Sequence, residues 1–291
     1  MDKGTNTFGV SPAFVASLYG PDFSVPSFCA ALPHVRALGF SAFQPEIARK
    51  ETLPDWMDGG AREVAQAARE AGLTPTQFVA HYMEEFFSTP EMIASRAGLE
   101  ELRQAVECAK VFEGCATLTV PMLPIKVDWG RYSGMDEAWF GDLMKRRTEK
   151  IHNCLKVVAG AGMFLALEIL PFSIIGGVRR FIELCDEVGS DHLGINFDTG
   201  NARASGEILP LLPFELRGRI YGTHLGDNNG NENGKLSPGK GSIEWKPLLK
   251  NLRAAGYTGS LDIEIGCPPE RVFDEYRNGL KYLLSQGAAM P

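Results

Sequence analysis

Apolar residues follow two alternating rhythms along this chain. Short apolar runs are each followed by a longer stretch in which apolar residues recur at helical spacing. Such alternation predicts βα units and a parallel sheet. The runs place strands at 8–10, 39–47, 74–82, 116–122, 163–172, 193–200, 219–226 and 260–266. Helices are predicted over 61–72, 95–112, 140–162 and 246–256 among the intervening segments. Glycines 39, 72, 162, 189 and 256 stand just before the next strand, where a left-handed residue closes a helix. Eight such units fit a closed (β/α)8 TIM barrel better than an open doubly wound sheet. No G-x-G-x-x-G follows the first strand, as a dinucleotide-binding unit would require. No segment reads as an interdomain linker, so residues 1–291 are expected to form a single TIM-barrel domain. The longest irregular segments, 121–138 and 227–242, directly follow strands. In a barrel those are the βα loops that carry function.

Composition narrows the class. Of 291 residues, 44% are hydrophobic, enough for a sizeable core, and the net charge is -7. An acidic balance argues against a nucleic-acid partner, which needs a basic face. The six cysteines form no C-x-x-C pair and most sit in apolar surroundings, which reads as buried free thiols rather than a disulfide framework. The N-terminus has no apolar signal region and no window reaches membrane-spanning length, so a soluble, cytoplasmic protein with no membrane partner is expected.

The chemistry is expected where the last four strands end. Glu168 lies in "ALEIL", Asp198 in "NFDTGN", His224 in "GTHLGD" and Glu264 in "LDIEIG". Successive members are 30, 26 and 40 residues apart, so each step is about one βα unit. Taken singly, each has a plain reading: a solvent-facing strand residue, a core histidine, a turn aspartate. Asp262, beside Glu264, reads as a solvent-facing residue. Jointly, three carboxylates and an imidazole at one barrel mouth would repel and desolvate one another unless a divalent cation bound them. Three hard oxygens, one nitrogen and no thiolate suit Mn²⁺ foremost, with Mg²⁺ or Co²⁺ as alternatives, rather than a structural zinc.

The second half carries a resemblance. "ALEILPF", "INFDTGN", "GTHLGDN" and "SPGKGSIEWKPLLKNLRAAGYTGSLDIEIG" resemble the sugar phosphate isomerase/epimerase superfamily, the xylose isomerase-like TIM barrels. That group includes ketose 3-epimerases, hydroxypyruvate isomerase, inosose dehydratase and endonuclease IV. The resemblance implies a metal held by Glu168, Asp198, His224 and Glu264. It also implies that Glu168 and Glu264 are the acid/base pair of an enediolate reaction on a small carbohydrate. It further implies a homodimer or homotetramer. Departures are as specific. Asn201 stands where ketose 3-epimerases have a histidine, Gly230 where they have an arginine, and Ile174 where they have a second glutamate. A metal-dependent lyase or dehydratase acting on a keto-sugar or keto-polyol, and a non-catalytic sugar-binding barrel or complex subunit, therefore stand as alternatives. The additional histidines that an endonuclease IV site needs are missing.

Further candidates surround this core. Glu46, which the family resemblance also points to, and His81 end strands two and three and could reach substrate, as could Asn201. For His81 an ordinary polar strand end is the competing reading. Asp227 is expected at the site, since the family resemblance implies an acid three residues after this histidine; a turn before Asn-Asn-Gly is the competing reading. Trp129, with Tyr132 and Trp139, offers ring faces for a sugar or for an oligomer contact. Arg203 and Lys240 could read an anionic substituent.

Overall fold

The computed structural model describes residues 6–128 and 136–288. Its strands occupy eight positions: β1 (Phe8–Val10), β2 (Ala42–Phe43 and Glu46–Ile47), β3 (Thr74–Pro75 and Phe78–Ala80), β4 (Thr117–Met122), β5 (Phe164–Ile169), β6 (Leu193–Asp198), β7 (Ile220–His224) and β8 (Leu261–Ile263). All neighbouring pairs are parallel, from β1 beside β2 through to β6 beside β7. β8 pairs with β1 in the register Gly9↔Asp262. Leu225, just past β7, closes the ring, donating to Asp262 O at 2.8 Å and accepting from Glu264 N at 3.0 Å. The expected (β/α)8 barrel is therefore what forms.

Two predicted strands are each broken in two. Pro45 and Pro75 have no N–H to give a ladder. The first half of β2 pairs with β1 and with Thr74–Pro75, while its second half pairs with Phe78–Ala80. Between the halves, Gln44 still donates its backbone N–H to Val10 O at 3.2 Å, and Val79 N reaches Pro45 O at 2.9 Å. The break leaves Gln44 and Gln77 buried inside the barrel wall where a continuous apolar run would otherwise stand.

The predicted helices appear at Ala61–Ala71, Leu99–Ala109, Glu137–Gly160 and Trp245–Ala254. Gly72 and Gly189 end their helices in the left-handed conformation, at φ 67° and 64°. Each helix lays an apolar stripe on the barrel, for example Val64 and Ala68, Leu102 and Val106, Leu248 and Leu252. Burial of these stripes, roughly 1.5–3 kcal/mol per large apolar side chain, fixes the ring that presents the strand ends.

The barrel interior is not wholly apolar. Gln44, Gln77, Thr119, Asn196, Thr223 and Asp262 are all buried within it. Asp262 is not the solvent-facing residue expected. Residues two apart on a strand share a face, so Asp262 points inward as Glu264 does. It accepts from Thr76 Oγ1 at 3.2 Å and from the Ser260 hydroxyl. Burial raises its carboxyl to about 6. Gly9 makes the room, since a Cβ there would lie 1.9 Å from Asp262 Oδ1.

Candidate metal centre

Glu168, Asp198, His224 and Glu264 reach one point at the C-terminal mouth of the barrel. All four are buried, and one ligand atom from each lies within 4.8 Å of the others. His224 Nδ1 is 3.3 Å from Glu168 Oε2, 3.6 Å from Glu264 Oε1 and 4.0 Å from Asp198 Oδ2. Each position follows from local structure. Glu168 is the penultimate residue of β5 and His224 the last of β7. Asp198 ends β6 and caps the helix Thr199–Ala204, its Oδ1 accepting from Asn201 N at 2.6 Å. That leaves Oδ2 for the centre.

Among the described residues, two of the buried polar atoms that lack a hydrogen-bond partner lie at this point, Asp198 Oδ2 and His224 Nδ1. Buried polar atoms are seldom left so, and these two face the same point. The ring of His224 is oriented from behind. Gln44 gives its amide N–H to Thr223 O at 3.4 Å, which turns its Oε1 toward His224 Nε2 at 2.8 Å. Nε2 therefore carries the proton, and Nδ1 can offer a lone pair to a cation. The donor set fits a single divalent ion.

The electrostatics agree. Without a cation, burial drives Asp198 well above its usual range, with Glu264 and Glu168 adding to the shift. For His224 burial opposes the charge, but Glu168 and Glu264 outweigh it and raise the ring to about 10. Burial likewise opposes ionisation of Glu168, yet His224 brings it down to about 2. Glu264 is lowered against burial by Lys235 and His224. The cluster thus carries protons wherever a cation would otherwise sit, as expected when like charges converge.

A shell of neutral and cationic groups holds the glutamates. Asn201 Nδ2 donates to Glu168 Oε1 at 3.1 Å, and Asn233 Nδ2 holds Asn201 Oδ1 at 2.9 Å. Asn196 Nδ2 lies 3.4 Å from Glu168 Oε2 and is itself held by Gln77, which takes a bond from Thr119. Gly222 admits Gln77, because a Cβ there would meet its amide at 2.2 Å. Lys235 Nζ lies 3.2 Å from Glu264 Oε1, and Glu264 pushes the ammonium upward.

A cavity of about 600 Å³ opens over the centre. Glu46, His81, Asn201 and Lys235 line it beside Glu168, His224 and Glu264. Among the predicted substrate contacts, Glu46, His81 and Asn201 therefore face it. His81 bridges two carboxylates, Nδ1 to Glu46 at 2.8 Å and Nε2 to Glu84 at 3.1 Å. Burial opposes its charge, but these carboxylates raise it well above the usual histidine range.

Three expectations change. Asp227 does not line the cavity. Its Oδ1 accepts from Asn228 N at 2.9 Å and Ile243 N at 3.1 Å, and its Oδ2 from Gly239 N and Trp245 Nε1, both at 2.9 Å. Four donors fill both oxygens, so Asp227 anchors the 227–243 loop instead. Lys240 is committed to both oxygens of Glu275 at 2.7 Å, and Arg203 turns to Ser242 Oγ at 3.2 Å. Trp129 and Tyr132 lie outside the described residues. Lys235, Gln44 and Asn196 were not anticipated. Neutral amides in a strand carry no signal of their own, and Lys235 stands in a Gly- and Asn-rich loop at φ 44°.

The closed parallel barrel thus carries, at its C-terminal mouth, a buried carboxylate–histidine cluster that could hold a metal ion. The family described as xylose isomerase-like TIM barrel matches residues 32–286, and this chain belongs to it. It is 26% identical over 122 residues to a D-psicose 3-epimerase from Enterocloster bolteae, covering 41% of this chain and 39% of that one. It is 22% identical over 192 residues to an inosose isomerase from Halalkalibacterium halodurans, covering 63% and 64% respectively. The chain thus spans less than two thirds of the length of the curated relatives it matches.

Among solved structures it resembles apo 3-keto-D-glucoside 4-epimerase YcjR from E. coli, with a TM-score of 0.74, 18% identity, and coverage of 97% and 100%. It also resembles D-psicose 3-epimerase with D-tagatose from Clostridium cellulolyticum, with a TM-score of 0.75, 16% identity, and coverage of 96% and 98%. A third, IOLI protein with a binding zinc atom, has a TM-score of 0.69 at 14% identity, covering 96% and 98%. At these identities the structures share the fold. No helix among the described residues is long and apolar enough to cross a membrane.

Proposed function

We propose that this protein is an isomerase or epimerase of a small sugar or sugar derivative. It would move a proton at a carbon beside a carbonyl, with Glu168 and Glu264 as the proton carriers. The observation that carries this reading is the pair of unpartnered buried atoms, Asp198 Oδ2 and His224 Nδ1, facing one point between two glutamates that open into a cavity. The epimerase and isomerase names of the relatives support it.

Glu168, Asp198, His224 and Glu264 would hold one divalent cation, Mn²⁺ foremost with Mg²⁺ or Co²⁺ as alternatives, which supplies positive charge to the substrate oxygens beside the reacting carbon. The chain's own groups do the rest. Glu168 and Glu264 come from β5 and β8, well apart around the ring, so they approach a substrate from different sides. One removes the proton and the other returns it to the opposite face. Asn201 and Asn196 stabilise Glu168 as a carboxylate, and Lys235 does so for Glu264. Glu46 and His81 offer hydrogen bonds to hydroxyls at the far wall, and Trp129 would offer a ring face to the sugar. The partner is a small carbohydrate.

A screen of ketoses and keto-polyols with Mn²⁺-loaded protein tests this. A product of unchanged mass, lost in Glu168→Gln and Glu264→Gln, is expected. A product lacking one water would show elimination instead, and unchanged turnover in both variants would sink either reaction.

A further inference from the structure

The reaction cavity has a neighbour across His81. A second pocket of about 200 Å³ lies beyond it and shares Ala16, Pro21, Glu46, His81 and Glu84 with the first. The imidazole, pinned between Glu46 and Glu84, is a common wall of both spaces. The outer pocket continues along the loops after β1, β2 and β3, with Phe23, Ala48, Arg49, Tyr82 and Glu85 completing it. An ion pair between Arg49 and Asp22 ties the first two of these loops together. A single sugar ring over Glu168 and Glu264 would leave this outer space unfilled. The inner volume alone is already within the usual range for burying a drug-sized ligand, roughly 300–1,000 Å³.

From this shared wall we infer that the substrate carries a second, neutral hydroxylated unit. In other words it is a glycoside or disaccharide, whose second ring passes His81 and rests in the outer pocket. The inference rests on the sugar isomerase or epimerase reading above. The chemistry of the outer wall selects the class. Glu46, Glu84 and Glu85 face Arg49 and His81 there, and Arg49 is already paired. A phosphate or carboxylate would meet mostly like charge. Hydroxyls suit the site, because carboxylates accept from them and Arg49 donates to them. The Tyr82 hydroxyl is spent on Glu101 O at 2.7 Å, so it is not free for a ligand.

The test compares Mn²⁺-loaded wild type and Glu85→Trp, which would fill the outer pocket from the exposed surface. The substrates are the 3-keto derivatives of methyl α-D-glucoside and of trehalose, followed by solvent-deuterium exchange. The expected result is a kcat/KM at least tenfold higher for the two-ring substrate in wild type, with that ratio falling at least tenfold in E85W. Equal kcat/KM for the two substrates in wild type, or a ratio unaltered by E85W, would overturn the inference while leaving the sugar reading intact. Exchange with no substrate in either protein would instead count against the sugar reading. Saturation-transfer NMR with methyl α-maltoside, whose two rings give distinct signals, then decides the pocket separately. Contacts to both rings in wild type, reduced to one or none in E85W, support it; no contact in wild type overturns it.

Discussion

Gln44 offers the sharpest probe of the centre, because it touches none of the expected substrate and sits behind a ligand. Replacing it by leucine keeps its bulk in a position that is 1% exposed, but removes the acceptor for His224 Nε2–H. The proton then has no reason to stay on Nε2, and the ring is free to rotate or to present N–H toward the centre. Loss of such a partner behind a metal-bound histidine costs about 10–100-fold in metal affinity. That is about 1.4–2.7 kcal/mol. The buried N–H left without a partner would also lower global stability by about 1–3 kcal/mol. The two effects separate experimentally. Metal affinity is read by competition with a fluorescent chelator on protein shown to be folded, and stability by urea midpoint. Glu at position 44 restores the acceptor, so Q44E should bind the ion within severalfold of wild type. Folded Q44L that binds Mn²⁺ as tightly as wild type would refute the assignment of His224 Nδ1 as a ligand.

Glu168→Gln and Glu264→Gln should each lower kcat by about 10²–10⁴-fold, measured with whichever sugar the screen finds. Loading the site should release protons, because His224 at about 10 and the raised Asp198 hold them when the site carries no cation. Affinity should therefore rise as pH increases toward 9, and calorimetry in buffers of different ionisation enthalpy should count the protons. Asp227→Asn turns a donor toward the N–H groups of Gly239 and Trp245 or of Asn228 and Ile243. It should cost about 3 kcal/mol in urea unfolding and weaken the hold of Lys235 on Glu264.

The eight-unit barrel and the four candidate ligands were legible because each rests on a local signal. Strands announce themselves by apolar runs, and one charged residue per strand end is visible wherever the run stops. The split of β2 and β3 was less legible, although Pro45 and Pro75 marked it. The layer beneath the site was not legible at all. Gln44, Gln77 and Asn196 read as ordinary polar residues, and only closure of the ring shows that they face inward. Asp262 was misread for the same reason, although its spacing from Glu264 already put both on one face. Asp227 and Lys235 share one loop. Their opposite fates, one an anchor and one facing the cavity, depend on where Trp245 and Glu264 lie in space.

The central claim is that Glu168 and Glu264 move a proton at a carbon beside a carbonyl. Turnover of the accepted sugar by Mn²⁺-loaded protein in D₂O, read by NMR, tests it most directly. The account predicts deuterium from solvent at the reacting carbon of the product, with exchange abolished in both glutamine variants. Product that forms at full rate while retaining the original hydrogen would mean a direct hydride shift and would contradict it.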